Sequence, residues 1–159
     1  MTWSFDAFAG LAARAATAAG FPDDRAQTFG RAAAVHMARG GDSGAIAEAL
    51  RDPADSPILR LPLLMHDLMR AAQISGPSVA LSVLPADRAL APDYAELLPV
   101  TLRDVTIRSG TEKGPAQLRA TVTEDVAEEP DAKGIDVPDD LVETLSRLAE
   151  REQDAPAAP

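Results

Sequence analysis

Apolar side chains in the first fifty residues recur at every third or fourth position, which is the spacing of one helix face. This spacing predicts a helix from Phe5 to Ala19 and a second helix that begins at Pro22 and stops at the Gly40–Gly41 pair. Ser4 is a good N-cap for the first helix, and a proline suits the first turn of the second. Because few residues separate the two helices, we expect them to pair as an antiparallel hairpin.

The helical spacing continues with interruptions to about residue 73. Asp42 or Ser43 can cap a short third helix that Pro53 and its polar neighbours end. An apolar stripe then predicts a fourth helix from about Leu61 to Gln73, with Pro62 in its first turn.

Beyond Gly76–Pro77 the apolar spacing changes from near four to two, which is typical of strands. The alternation predicts one strand at Val79–Val83 and another at about Val100–Arg108. The second changes phase, and either a bulge near Arg103–Asp104 or a break into two short strands would reconcile its two halves. Leu118–Val122 alternates most clearly and should form a hairpin with the strand before it.

The remaining segments are mostly polar. The pattern of residues 87–98 predicts an irregular connection with a helical turn over Pro92–Leu97. The acidic composition of residues 124–136 predicts a linker or loop. An apolar stripe predicts an amphipathic final helix over Val137–Glu152, and residues 153–159 predict a disordered tail.

These elements together predict an α+β fold. Four N-terminal helices should pack on a small, mainly antiparallel sheet of about three strands, with the C-terminal amphipathic helix added to them. The length of 159 residues fits one domain, and we expect a single domain over residues 1–152.

Charge and composition exclude several classes of protein. Nine of the ten net negative charges lie in residues 124–159, which hold twelve acids and three bases, so nucleic acid and anionic membranes are not expected partners. The chain has no cysteine, which excludes thiolate nucleophiles and sulfur-ligated zinc. No leader-like segment or membrane-length apolar run is evident, so we expect a soluble, cytoplasmic protein.

His36 and His66 are the only side chains that titrate near neutral pH, so any proposal of a general base starts with them. For each, the alternative is a half-buried histidine with a structural hydrogen bond. Ser43 is a third catalytic candidate, although no activating base stands at a recognisable spacing from it. Neither a metal site nor a cofactor is expected.

Gly41, Asp42, Ser43 and Gly44 have the flexibility and the hydroxyl group of an anion-binding turn that leads into a helix. The turn follows a helix instead of a strand, however, and it has no lysine to complete a phosphate loop. The alternative is a plain helix-to-helix turn.

The N-terminal helices carry two resemblances. The runs Ala12–Ala16, Ala19–Phe21, Arg31–Ala33 and Ala38–Gly40 resemble the opening helices of an uncharacterised bacterial domain-of-unknown-function family, and Leu145–Ala149 is similar to that family's final helix. No activity follows from this resemblance.

The same N-terminal pattern more distantly resembles the first helices of the malate and L-lactate dehydrogenase family that is distinct from the Rossmann type. In that family a Ser-His-Gly with a catalytic histidine follows the second helix, whereas this chain has Asp42-Ser43-Gly44 and is about half as long. This resemblance implies a catalytically altered or decayed oxidoreductase.

The absence of a catalytic motif predicts a non-catalytic binding or protein-interaction module, which would act through a helix-lined groove or through self-association. Apolar surfaces on the helices Leu61–Ala72 and Leu141–Ala149 support this prediction. Two alternatives stay open. One is an altered or decayed malate/lactate-type enzyme that uses His36 or His66, and the other is an acidic adaptor whose residues 124–136 engage a basic partner.

Overall fold

A computed structural model describes residues 2–109, 116–127 and 134–154. It describes the side chains of all these residues except Ser109 and residues 152–154. In chain order its elements are β1 (Thr2–Trp3), α1 (Phe5–Ala19), α2 (Asp23–Ala38), α3 (Ser43–Ala49), α4 (Pro57–Ser75), β2 (Ser78–Val83), a 3₁₀ turn (Pro85–Asp87), α5 (Ala91–Glu96), β3 (Val100–Ser109), β4 (Ala116–Val126), β5 (Ile135–Asp136) and α6 (Asp139–Asp154).

The chain divides into two compact units. Unit 1 combines residues 1–59 with residues 130–159, and unit 2 consists of residues 60–129. The expected mixture of helices with small antiparallel sheets is confirmed, so the fold is α+β. The expectation of a single domain over residues 1–152 stays a prediction.

Capping residues mark both ends of α1, and a proline marks the start of α2. Ser4 Oγ accepts the Ala7 N–H at 3.1 Å, which satisfies one of the free donors at the start of α1. The helix ends at Gly20, whose φ of 108° is left-handed and favours glycine. Pro22 precedes α2, and Asp23 in its first turn complements the helix dipole.

Helices α1 and α2 pack closely on each other. Phe8 of α1 and Phe29 of α2 have no exposed surface, and several alanines of both helices are also fully buried. Gly30 marks the closest approach: a Cβ atom at this position would lie 2.3 Å from the Ala9 carbonyl oxygen. Only glycine fits there, because real Cβ atoms essentially never come within 3.0 Å of a neighbour.

The C-terminal part of unit 1 packs on its N-terminal part. Helix α6 contacts α1 and α3, and its apolar residues Leu141 and Leu145 are buried. Strand β1 pairs antiparallel with β5, with Trp3 opposite Ile135. The predicted linker over residues 124–136 is therefore corrected at its end, because Ile135 is buried and strand-paired.

Unit 2 contains a three-stranded antiparallel sheet in the order β2-β4-β3. Leu118 of the central strand lies opposite Leu81 on one side and Ile107 on the other. The register of β3 shifts between Val100 and Leu102 and again between Arg103 and Thr106, and Asp104 has a φ of 52°. The predicted bulge at Arg103–Asp104 is confirmed.

Helix α4 and the predicted architecture need correction. The helix starts at Pro57, four residues before the predicted start, because Ser56 Oγ accepts the Ile58 N–H at 3.2 Å and Pro57 fits the first turn. Pro62 consequently lies inside the helix. The described residues form six α-helices and two sheets, and α1, α2, α3 and α6 group in unit 1 whereas the three-stranded sheet belongs to unit 2.

Two strand and tail boundaries also differ from prediction. Strand β4 continues to Val126, and α6 continues to Asp154, so residues 124–126 and 153–154 are not linker or tail. The helical turn predicted over Pro92–Leu97 is confirmed as α5. The predicted turn at residues 110–115, residues 128–133 of the acidic segment and residues 155–159 lie outside the described residues.

Within the described part, none of the helices has the length and apolarity that a bilayer crossing needs.

Candidate functional site

His36 lies near the end of α2, where it closes the turn between α2 and α3. Its side chain is buried, and Nε2 lies 2.8 Å from the Asp42 carbonyl oxygen. Because a carbonyl oxygen only accepts, Nε2 carries the proton in this bond. Gly41 donates its N–H to the His36 carbonyl at 2.8 Å, and a Cβ on Gly41 would lie 2.4 Å from the imidazole Cε1. The imidazole therefore packs against a bare backbone and holds the turn.

The predicted anion-binding residues Gly41, Asp42, Ser43 and Gly44 do come together in this turn, and they connect two helices. Asp42 is the N-cap of α3, and its Oδ1 accepts the Gly44 N–H at 3.0 Å. The protein's own carboxylate thus takes a donor that an anion would use. Ser43 is the first residue of this seven-residue helix. Anion binding at the turn stays a prediction.

The remaining catalytic candidate, His66, is on the exposed side of α4. It belongs to unit 2, whereas His36 and Ser43 belong to unit 1. The Nε2 bond of His36 goes to the backbone of Asp42 and not to the Ser43 hydroxyl. Among the described residues, no group of three or more His, Asp or Glu side chains could hold a metal ion.

A more promising feature is the end of the hairpin formed by β3 and β4. Strand β2 pairs with β4 only as far as Thr121, so beyond that residue the hairpin continues as two strands. Residues Ala116, Leu118 and Ala120 of β4 are buried, whereas Val126 is 83% exposed. The hairpin therefore carries an apolar side chain, Val126, past the point where the core covers the sheet.

This hairpin end and α5 border a groove of about 580 Å³, which we call the ribbon groove. Its apolar part includes Val100, Leu102 and Val126, and Val100 lies directly opposite Val126 in the ladder. Two carboxylates, from Glu96 and Asp125, also line it. Asp125 pairs with Arg103 at 3.5 Å, but both side chains are about two-thirds exposed, so this pair is weak.

Exposed apolar side chains are concentrated in unit 2. Every large hydrophobic residue that is exposed in the described part of the chain lies between residues 60 and 129. They are Leu63, Ile74, Leu84, Val105 and Val126. Unit 1, by contrast, buries the apolar stripe of α6 against its own helices.

Sequence reasoning missed the ribbon groove. The signal was the phase of Val126, which matches that of Leu118 and Val122. Glu124 occupies the same phase between them, which ends the simple alternation and makes the segment look like a linker.

Comparisons of the chain with protein-family models, with curated proteins and with solved structures found no match. Both resemblances of the N-terminal helices stay predictions.

Proposed function

We propose that the protein is a non-catalytic protein-binding module and that its partner occupies the ribbon groove. The observation that carries this proposal is that two of the large hydrophobic residues exposed among the described residues, Val105 and Val126, both line this groove. Exposed apolar patches of this kind, when polar groups border them, are typical of protein-interaction sites.

The chemistry of the groove favours a particular kind of partner. Val100, Leu102 and Val126 offer an apolar floor, which a partner would cover with apolar side chains of its own. Glu96 and Asp125 add negative charge at the same place. A peptide segment with one or two large apolar residues next to a lysine or arginine would match both features.

The placement of the histidines supports binding over catalysis. His36 uses Nε2 to hold the Asp42 carbonyl, and its ring is packed against Gly41. A general base must reach the proton that it removes from the substrate. The His36 ring instead holds the turn between α2 and α3, which is a structural role. The altered-oxidoreductase and acidic-adaptor functions stay predictions.

A random-peptide display selection against the whole chain tests the proposal. We expect enriched peptides to combine apolar residues with a basic residue. In fluorescence anisotropy titrations, Val126→Asp should weaken their binding by roughly tenfold or more, because it places a charge on the apolar floor. Ile74→Asp is the matched control: Ile74 is 76% exposed on α4 and does not line the groove, so binding should not change.

Three outcomes would overturn the proposal. The first is that no peptide is enriched, and the second is that the two variants weaken binding equally. The third comes from light scattering: a wild-type dimer that Val126→Asp converts to a monomer would show that a second copy of the chain fills the groove. Far-UV circular dichroism checks that both variants fold, which we expect for substitutions at exposed positions.

A further inference from the structure

A second hollow, in unit 1, brings together arginines that lie far apart in the sequence. Arg51 follows the end of α3, and Arg147 and Arg151 lie one turn apart on α6. All three line a hollow of about 440 Å³, which we call the arginine hollow. The packing of α6 on α3 brings these residues together.

Two of the three arginines have carboxylate partners. Arg51 Nη1 donates to both Glu48 carboxylate oxygens, at 3.0 and 3.1 Å, and these bonds together with the charge of Glu48 raise the pKa of Arg51. Arg147 pairs with Glu143 one turn away. Arg151 forms no ion pair with any side chain of the described residues.

The pairing leaves donors and positive charge at the hollow. Three arginines line the hollow, and two of them pair with Glu48 and Glu143. These five side chains together carry a net charge of +1, within a chain whose net charge is −10. A guanidinium group has five N–H donors, and Glu48 engages only the Nη1 group of Arg51. Nε and Nη2 of Arg51 and the donors of Arg151 have no carboxylate partner among the described residues.

The lining of the hollow also includes apolar residues. Ala19, Ala47, Leu50 and Leu148 line it beside the arginines. The volume lies within the range of small-molecule sites, and it exceeds what a bare inorganic ion needs. A ligand that fits would place an anionic group on the arginines and a compact apolar group against the alanine and leucine side chains.

We propose that the arginine hollow binds a small organic oxyanion, which is a carboxylate or phosphate group attached to a compact apolar group. Arginine suits both oxyanions because its planar N–H pairs match two oxygens at once. The apolar contact adds selection for the organic part of the ligand.

A purely structural role for these arginines is the competing explanation. Arg51 follows the end of α3, and Arg151 lies in the last turn of α6, where positive charge complements the helix dipole. That role predicts a stability loss when an arginine is removed and no response to added anions. Ligand titration therefore separates the two explanations.

The test uses phenyl phosphate, benzoate and inorganic phosphate as probes, at fixed ionic strength, with amide NMR shifts of the full chain as the readout. We expect phenyl phosphate or benzoate to shift amides of α3 and α6 and to bind at least several-fold more tightly than inorganic phosphate. Arg151→Gln should weaken binding roughly tenfold, because it removes charge-assisted hydrogen bonds. Arg31→Gln is the control: it removes the same charge from an exposed position on α2, and binding should not change.

Each arm has a decisive result. Which organic probe binds more tightly identifies the oxyanion as carboxylate or phosphate. Inorganic phosphate that binds as tightly as either organic probe would overturn the organic part of the proposal. Absent amide shifts up to millimolar probe, or equal weakening by Arg151→Gln and Arg31→Gln, would overturn the site itself, and unchanged circular dichroism ensures that each variant is folded.

Discussion

Gly30 offers a sharp test of the α1–α2 contact. A Cβ atom at residue 30 would lie 2.3 Å from the Ala9 carbonyl oxygen and 3.0 Å from Ala13 Cβ, whereas ordinary contacts begin near 3.4 Å. The carbonyl belongs to the α1 backbone, so it cannot turn away as a flexible side chain would. Gly30→Ala must therefore push the two helices apart by roughly 1 Å.

The magnitude follows from two opposing effects. Alanine is favoured over glycine inside a helix by about 0.5–1 kcal/mol. Overpacking a close contact costs about 1–3 kcal/mol and occasionally more, and a clash with backbone belongs at the high end. We therefore expect Gly30→Ala to lower the free energy of unfolding by about 2 kcal/mol, which corresponds to a fall in Tm of roughly 4–8 °C.

Gly10 provides the matched control. It is also inside a helix, α1, but the nearest atom to its added Cβ would be Nη1 of Arg14 at 3.6 Å, which is an ordinary contact. Gly10→Ala should consequently stabilise the protein by about 0.5–1 kcal/mol. The same substitution in two neighbouring helices should thus have opposite effects.

Urea unfolding measures both variants. Trp3 is the only tryptophan and belongs to unit 1, with its ring edge-on to Phe8 at a centroid distance of 6.4 Å, so its fluorescence reports this unit. The helix contact would be refuted if Gly30→Ala were as stable as the wild type, or if the two alanine variants shifted stability in the same direction.

Two further substitutions test packing and capping in the same assay. Phe29→Ala should lower the free energy of unfolding by about 3–5 kcal/mol, because the ring has no exposed surface. Leu63 is 55% exposed, so Leu63→Ala should change it by less than about 0.5 kcal/mol. Similar losses from the two variants would contradict the assigned core. Ser56→Ala should lower the free energy of unfolding by about 2 kcal/mol and Ser4→Ala by about 1 kcal/mol. Both serines are N-caps, but Ser56 Oγ is buried and also donates to the Ala49 carbonyl at 2.5 Å. Equal losses from the two variants would show that burial of Ser56 adds nothing to its cap.

Local chemistry made much of the chain predictable. Glycine and proline end or start helices because of their own backbone geometry, whatever lies around them. Gly20 and Pro22 accordingly separate α1 from α2. The changed phase of β3 likewise indicated a bulge or a break, because side chains alternate along a strand, and the structure has the bulge. These predictions needed no knowledge of distant residues.

Distant contacts explain what the sequence concealed. Ile135 reads as part of an acidic linker, and only its pairing with Trp3 makes it a strand residue. The predicted start of the fourth helix at Leu61 leaves Pro57 outside it, although a proline after a capping serine is a good first helical residue. The ribbon groove and the arginine hollow both arise from segments that are far apart in the chain, and spacing along one segment cannot reveal such sites.

The composite origin of unit 1 has a consequence for biosynthesis. Residues 60–129 leave the ribosome complete, whereas unit 1 must wait for α6 and β5 before its two parts can join. At typical translation speeds residues 130–159 take roughly 2–6 s to make, which is long compared with most elementary folding steps. During those seconds the surface of α1 that will receive α6 is bare, so the nascent chain should depend most on chaperones at that stage.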